Sequence, residues 1–450
     1  MAGKKQKKVT RREAAKVDVA PVAEKPSAPV EKIKWRWRPL LGSLLVLSLL
    51  ILFLSFIKFF DLLNVDRYLQ DLLISYAGRS EARVFDSRVT LLMVDEATQP
   101  NQPFGAANPS HRKYHAEMVR ALTKAGAKVI VFDVLFRTTS DEVDPDFAQA
   151  IVEAEKAGTR IVIGAFLPIK TFEPQISAPL KAAVGEHWGI VDGATSKSGD
   201  ARFIRLAADK SNEPFNGLDE QPVIPSLALQ AVRLLNYPSV PTSVWFSPLA
   251  SQVRIRSGDA GGPLLASIPV NREMELLVDL FGKDEITHYS YQEVLSHVAD
   301  YAGNFKDKLV VIGYQKDDKL PSSSSEKEPR YAVEIHATAM STLLTGSYIK
   351  PLPVVYHFLF IVVLVAIAAF LQIRFSKWMD RTQTIPLPFL PAPFNSITIP
   401  IPIFVVALVY LLFAVLAFQL AYIVFDMSYH LAALILTYSV FVVGRSKFVR

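Results

Sequence analysis

The chain of 450 residues contains no cysteine. Disulfide bonds, thiolate metal sites and cysteine nucleophiles are therefore excluded. The sequence also lacks a phosphate-binding P-loop, the strand-turn-helix motif around a nucleophilic serine, and the HExxH pattern of zinc proteases. With none of these motifs present, we expect a protein without enzymatic activity and without a cofactor.

Charged residues are scarce in four apolar stretches, at residues 40–60, 354–373, 402–425 and 429–444. A helix of about 20 residues crosses the ~30 Å hydrocarbon core of a bilayer. The first three stretches reach that length, whereas the fourth is at the short edge and has the alternative of lying in the membrane interface. The pattern predicts four transmembrane helices, the first an uncleaved signal anchor, which form an anchoring and coupling bundle without polar groups in mid-membrane.

Basic residues are concentrated at the amino terminus, where the first 38 residues carry 12 Lys and Arg against 4 Asp and Glu. Residues 61–353 carry 30 basic and 37 acidic side chains. Because cytoplasmic loops are enriched in Lys and Arg, residues 1–39 are predicted to be a disordered cytoplasmic tail and residues 61–353 to lie outside the cell (inner) membrane. Both termini are then cytoplasmic. The tail is either a solvated topology signal or a contact with anionic lipid, and nothing in it favours nucleic acid.

Between the apolar stretches, helical and strand patterns alternate along the chain. Strands are predicted at residues 88–94, 128–136 and 159–166, with helices at 111–126 and 144–157 between them. This order predicts an α/β domain with a mostly parallel sheet. Residues 187–275 show short strand-like pieces and one helix, and are predicted to be an irregular subdomain.

The pattern becomes regular again near the end of this segment. A strand is predicted at residues 275–281, a helix at 290–297, a strand at 308–313 and a helix at 332–345. Apolar residues at helical spacing between positions 62 and 76 also predict an amphipathic helix directly after the first membrane stretch. That helix either packs on the core of the domain or serves as a stalk that transmits motion.

Asp95 and Asp133 lie at or near the ends of predicted parallel strands, where open α/β sheets place their binding crevice. With Asp141, Glu334 and His336 they are candidates for a ligand-orienting or structural cluster, or else for a metal or acid–base site. Their spacing matches no catalytic motif, so we assign ligand binding or structure rather than catalysis or metal binding. His336 itself is either a hydrogen-bonded core histidine or a pH-sensing group.

Arg112 and His115 open the first helix of the domain, where a helix N-terminus favours anions. The alternative is a salt bridge from Arg112 to Asp95 or Asp133. Both basic residues are retained as candidate ligand-binding residues.

Four segments together resemble a known family: VTLLMVDEAT, HRKYHAEMVRALTKAGAKVIVFDVLF, FKDKLVVIG and VEIHATAMSTLLTGSYI. In this order they resemble the second type of CHASE extracellular sensor domain, over about residues 60–445. The resemblance implies a bacterial periplasmic or extracellular input module of the kind found ahead of nucleotide cyclases and protein kinases. No such output domain is recognisable here, so we expect signalling to a separate partner.

Three hypotheses follow for the function. The first is a membrane-anchored sensor that binds a small ligand outside and acts on a cytoplasmic effector, with a homodimer implied by the resemblance. The second is a structural scaffold that binds another protein of a bacterial envelope complex. The third is an enzyme that uses the acidic cluster.

Overall fold

The computed structural model describes most of the chain. The described residues are 37–56, 65–77, 84–95, 98, 109–168, 173–191, 203–209, 219–259, 261–271, 273–278, 285–315, 319–320, 330–374, 382–386 and 396–448. The predicted disordered tail lies almost wholly outside these residues.

The helices alternate with strands in the middle of the chain and are long and apolar at its two ends. They are α1 (Trp37–Phe56), α2 (Val65–Ala77), α3 (Arg112–Lys124), α4 (Asp144–Lys156), α5 (Ala178–Val184), α6 (Leu227–Asn236), α7 (Tyr291–Ser296), α8 (Val298–Phe305), α9 (Ala332–Thr345), α10 (Val354–Arg374), α11 (Ile401–Ala421) and α12 (Met427–Phe448).

The strands are short, and most lie between α2 and α10. They are β1 (Val89–Val94), β2 (Val129–Phe132), β3 (Arg160–Ala165), β4 (Trp188–Ile190), β5 (Phe203–Arg205), β6 (Ala207–Asp209), β7 (Gln221–Pro225), β8 (Thr242–Ser247), β9 (Gln252–Ser257), β10 (Leu264–Pro269), β11 (Glu275–Leu277), β12 (His288–Ser290), β13 (Leu309–Tyr314), β14 (Lys319–Leu320), β15 (Arg330–Tyr331), β16 (Lys350–Pro351), β17 (Thr382–Pro386), β18 (Ser396–Pro400) and β19 (Ile423–Val424).

A six-stranded sheet forms the centre of the domain, in the order β12-β1-β13-β2-β3-β4. Every neighbouring pair in it is parallel. The predicted α/β fold with a mostly parallel sheet is therefore confirmed. Strand β13, which comes late in the chain, lies between β1 and β2.

Helices cover both faces of this sheet because successive side chains of each strand point to opposite faces. On one face Leu92, Ile130 and Ile312 pack with α3, α4, α5, α7 and α8. On the other face Leu91 and Val311 pack with α6 and α9. Both faces are apolar along the strands, which explains why the strands are nearly continuous hydrophobic runs in the sequence.

Residues 221–269 contribute most of a second, antiparallel sheet in the order β10-β9-β8-β7-β6. Its inward side chains, among them Val244, Val253 and Ile255, share a core with α6 and α9. The prediction of an irregular subdomain for residues 187–275 is therefore wrong for this part. Arg254 and Arg256 alternate with the buried Val253 and Ile255 along β9, and both arginines pair with Glu220.

Two of the described helices are long and apolar enough to cross a membrane, namely Val355–Arg374 within α10 and Ile403–Ala421 within α11. The apolar parts of α1 and α12, Leu41–Ser55 and Met427–Phe441, are shorter. The count of four spans stays a prediction. Helix α11 ends at Ala421 rather than at 425, because Tyr422 takes a left-handed conformation and the chain then enters β19.

The apolar helices pack together. Leu47 and Ile51 of α1 share a core with Ile361 of α10 and with Tyr429 and Ala433 of α12. Since the α/β domain lies between α1 and α10 in the chain, the end of α1 and the start of α10 both face the domain. The turn between α11 and α12 faces it as well.

A short pair of strands joins the domain to that turn. Lys350 N–H donates to the carbonyl of Tyr422 at 2.7 Å, and Leu352 N–H donates to that of Val424 at 3.0 Å. Helix α2 lies against the same turn, because its Leu73 and Ile74 share a core with Val424. The amphipathic helix predicted after the first apolar stretch therefore packs on the turn between α11 and α12.

The close approach of β4 to α6 gives a test of the domain packing. A Cβ atom at Gly189 would lie 2.6 Å from the backbone Cα and N of Leu227. We expect Gly189→Ala to lower the free energy of unfolding by about 1–3 kcal/mol, because the overpacking is against backbone and cannot relax by a rotamer change. The measurement is thermal or denaturant unfolding of the purified protein.

Gly303→Ala in α8 is the matched control, since nothing lies within 4 Å of its Cβ position. Alanine there should be neutral or stabilise by about 1 kcal/mol, because glycine is a poor helix former. Equal effects of the two substitutions would contradict this packing.

Candidate functional site

The carboxyl ends of β1, β13 and β2 form the natural crevice of the domain. Helices α3 and α4, which follow β1 and β2, cover one face of the sheet, whereas α9, which follows β13, covers the other. The chain therefore leaves neighbouring strands in opposite directions. In open α/β sheets a crevice at such a switch point is where ligands bind.

Asp133 and His336 meet at this edge. The His336 Nε2 atom is 3.8 Å from the Asp133 Oδ1 atom, and the imidazole is only 1% exposed. Neither ring nitrogen of His336 has a hydrogen-bond partner within the described part of the chain. Because a buried polar atom without a partner costs about 1–3 kcal/mol, this pair is poised to bind a polar group.

Gly313 at the end of β13 makes the meeting possible. A Cβ at this position would lie 2.7 Å from Val333 Cγ2 and 3.4 Å from Asp133 Cβ. Glycine thus allows the first turn of α9 to sit directly on the strand ends. Gly313 therefore serves the close packing of α9 on β13.

Asp95 also lies at this edge, and its carboxylate is hydrogen-bonded to Thr98. Its Oδ1 atom accepts hydrogen bonds from Thr98, from the backbone N–H at 3.0 Å and from the hydroxyl at 2.7 Å. The neighbouring backbone is fixed by the Gln315 N–H, which donates to the Val94 carbonyl. These hydrogen bonds hold the Asp95 carboxylate against Thr98.

The other acidic candidates are dispersed. The Glu334 carboxylate accepts the backbone N–H of Tyr331 at 3.1 Å and so stabilises the start of α9. Asp141 is exposed in the turn before α4. Among the described residues no group of three or more His, Asp or Glu side chains is arranged to hold a metal ion.

Arg112 is buried and forms an ion pair with Asp144, which is also buried. The prediction that Arg112 pairs with Asp95 or Asp133 is therefore wrong. Because α3 and α4 lie side by side on the same face, the first turn of α3 meets the first turn of α4 rather than a strand end. The pair is therefore a structural contact between two helix N-termini.

Asp144 connects three loops at this edge. Its carboxylate accepts hydrogen bonds from the Ser140 N–H at 3.1 Å and from the Ser177 hydroxyl, in addition to Arg112. Sequence reasoning did not select this residue, although its position before Pro145 is a typical helix-start signal.

His115 lies in an aromatic core formed with Phe132, Phe136 and Phe147. Its Nδ1 atom shares a hydrogen bond of 2.9 Å with the Tyr291 hydroxyl. Burial, reinforced by neighbouring basic side chains, holds the pKa of His115 well below its usual value. Burial raises the pKa of Tyr291 well above its usual value. Both groups therefore stay neutral, and His115 is inaccessible to a ligand from the crevice.

A second set of polar side chains lies where the apolar helices face the domain. It comprises Ser55, Gln70, His357, Tyr410, Asp426 and His430, which we call the junction cluster. These residues are linked by hydrogen bonds and ring contacts between five helices. Sequence reasoning did not select these residues, because single histidines and tyrosines do not interrupt a hydropathy pattern.

The buried ion pair predicts a large stability difference between two carboxylates of α4. We expect Asp144→Asn to lower the free energy of unfolding by about 3–5 kcal/mol, because it leaves the Arg112 guanidinium buried without its countercharge. Asp146→Asn, which removes an exposed contact with Arg120, should cost less than about 1 kcal/mol. Chemical denaturation of the two variants measures both values, and similar losses would exclude the structural role.

His115 predicts a pH dependence of stability. Its folded-state pKa is depressed, so below about pH 6.5 the unfolded chain binds a proton that the folded chain does not. Stability should therefore fall with decreasing pH by up to about 1.4 kcal/mol per pH unit from this group. We expect His115→Gln to flatten this slope and His297→Gln, at an exposed position, to leave it unchanged in unfolding experiments at several pH values.

Comparisons with curated proteins and with solved structures find no match. Comparison with known families matches residues 44–370 to the CHASE2 domain. The match begins inside α1, includes the whole α/β domain and ends inside α10. Since it covers well over half of the chain, the protein belongs to the CHASE2 family of extracellular sensor domains.

Proposed function

We propose that the protein is a membrane-anchored, non-enzymatic sensor that binds a small polar ligand outside the cytoplasm and signals to a separate partner protein. The family is one of extracellular sensor domains, which supports the sensor role. The crevice at Asp133 and His336 is the proposed ligand site. Arg112 and His115 are not part of it, because both are enclosed in the core of the opposite face.

Helix α9 carries the argument for sensing. Its first turns hold His336 at the crevice, and its last residue is followed by a short segment into β16 and then α10. The helix has 14 residues and is therefore about 21 Å long. One rigid element thus connects the ligand site to an apolar helix. Ligand binding shifts this connection only if the ligand prefers one position of α9, as any conformational coupling requires.

The arrangement of the helices supports the proposed topology. The end of α1, the start of α10 and the α11–α12 turn all face the domain, as expected if the helices cross one bilayer with both termini in the cytoplasm. The basic tail before α1 favours the same orientation by the positive-inside rule. Large exposed side chains such as Val355, Leu408 and Leu420 are suited to contact lipid tails.

A scaffold role is the second candidate, and the antiparallel sheet favours it. Strand β10 is an edge strand with a half-exposed Leu264, and an open edge can pair with a strand of another protein. The domain would then hold an envelope protein without transmitting a signal.

Crosslinking of the full-length protein in its native membrane, followed by mass spectrometry, tests the proposal. We expect a cytoplasmic effector to be captured by the wild-type protein and by His336→Gln, because the effector contacts the membrane side. The effector's activity should change at least severalfold in His336→Gln, because the substitution alters the site that moves α9. His297→Gln, at an exposed position of the same domain, is the matched control and should leave it unchanged.

Leu264→Asp separates the two candidates, since it adds a charge to the exposed edge. If only envelope proteins are captured and this substitution releases them, the scaffold role is correct and the sensor proposal fails. If a cytoplasmic effector is captured and Leu264→Asp does not change its capture, the scaffold role is excluded.

A further inference from the structure

The junction cluster contains an imidazole that is tied to three different elements. The His357 Nε2 atom of α10 is 3.0 Å from the Ser55 hydroxyl of α1. Its Nδ1 atom is 3.9 Å from Asp426 Oδ2 in the α11–α12 turn. The other carboxylate oxygen of Asp426 accepts a hydrogen bond of 3.3 Å from Gln70 of α2. A single histidine therefore lies between the helices on both sides of the domain.

A second imidazole lies directly beside it. The rings of His357 and His430 are 4.7 Å apart at an angle of 36°. The His430 Nδ1 atom is 2.6 Å from the Tyr410 hydroxyl oxygen of α11. The Nε2 atom of His430, a completely buried side chain, has no hydrogen-bond partner within the described residues. His430 is therefore completely enclosed beside His357.

Access to the pair is one-sided. The Asp426 side chain is 43% exposed, whereas that of His357 is 3% exposed. Aromatic rings of Phe360, Phe425 and Tyr429 enclose the histidines elsewhere. Water reaches the carboxylate, and the carboxylate faces the imidazole. A proton entering from the domain side would therefore pass by Asp426.

The charges that surround the pair favour one proton and not two. Asp426 is the carboxylate that the structure places within 4 Å of His357. Ser55, Gln70 and Tyr410 face the pair from the other helices and carry no charge at neutral pH. An opposite charge nearby favours the imidazolium form, whereas two imidazolium rings in van der Waals contact would repel each other strongly.

We propose that His357 and His430 form a proton-binding site, a second input of this sensor, which takes up one proton through Asp426 from the side of the domain. The bound proton converts the 3.9 Å approach of His357 to Asp426 into an ion pair. That ion pair draws the α11–α12 turn toward α10, and α2 follows through Gln70. That the domain side is extracytoplasmic rests on the proposed function; the proton site itself does not.

The location of the site explains how a proton would change the signal. The cluster lies next to the β16–β19 pair, since β16 leads into α10 and β19 is followed closely by Asp426. Helix α9 acts on β16 from the domain. Ligand and proton would therefore act on the same connection from opposite ends.

Pulsed electron resonance on the full-length protein in lipid nanodiscs tests the site. Because the chain has no cysteine, Tyr68→Cys in α2 and Val355→Cys in α10 place spin labels at two exposed positions without background. We expect the distance between the labels to change with a single-proton midpoint between about pH 5 and pH 8. His357→Gln should abolish the transition, because the imidazolium that pairs with Asp426 can then not form. Asp426→Asn should lower its midpoint by about 1–3 pH units.

The histidines of the domain provide controls. His297→Gln should leave the curve unchanged, and His336→Gln should leave a proton transition present. A transition that persists in His357→Gln, or one that is lost only in His336→Gln, overturns the proposal. An unchanging distance over this pH range in the unsubstituted protein overturns it as well. If a histidine variant fails to fold, the midpoint of Asp426→Asn decides.

The outcome is independent of the test of the proposed function. Capture of an effector depends on the partner and not on pH, so a failed proton site leaves that result intact. Conversely, a proton transition in a protein that captures only envelope proteins would show the site without the signalling role.

Discussion

The pairing of β13 between β1 and β2 is the constraint on which the rest of the structure depends. It joins the last part of the domain to its first part, and it places α9 on the face opposite α3 and α4. The crevice exists because of this divergence. The same strand order puts the element that lines the crevice immediately before the apolar helices, so the crevice and these helices are joined by one short segment of chain.

Buried polar groups in this protein are of two kinds: those paired with an opposite charge, and histidines with a nitrogen atom unpartnered within the described part of the chain. Arg112 and Asp144 pair with each other, and the Asp144 carboxylate also accepts loop hydrogen bonds, so the pair stabilises one arrangement of three loops. His336 and His430 are buried with nitrogen atoms that lack partners among the described residues. A compensated pair resists change, whereas an uncompensated imidazole favours whatever state supplies a partner.

Elements with strong local signals could be predicted from the sequence, and elements defined by long-range pairing could not. Helix α9 was predicted at residues 332–345 and lies there, β1 begins one residue later than predicted, and α3 begins one residue later and ends two residues earlier. The second sheet was recognised only as strand-like pieces, although β8, β9 and β10 pair as neighbours in sequence and β9 alternates between buried and less buried side chains. Of the candidate site, Asp133 and His336 were selected correctly as neighbours. The partner of Arg112 was not predicted correctly, because the sequence of neither helix shows that the two helices pack side by side.

The late position of β13 also governs how the domain must be assembled. Strands β1 and β2 are made early, but neither can gain its central neighbour until Leu309–Tyr314 has left the ribosome. By then almost the entire domain has been synthesised, and α10 is only a few dozen residues away. Contacts of such large sequence separation form slowly, and an open strand edge in the meantime invites aggregation. The nascent chain must therefore keep two hydrophobic strands apart and protected until the strand that separates them arrives, shortly before the next apolar helix is synthesised.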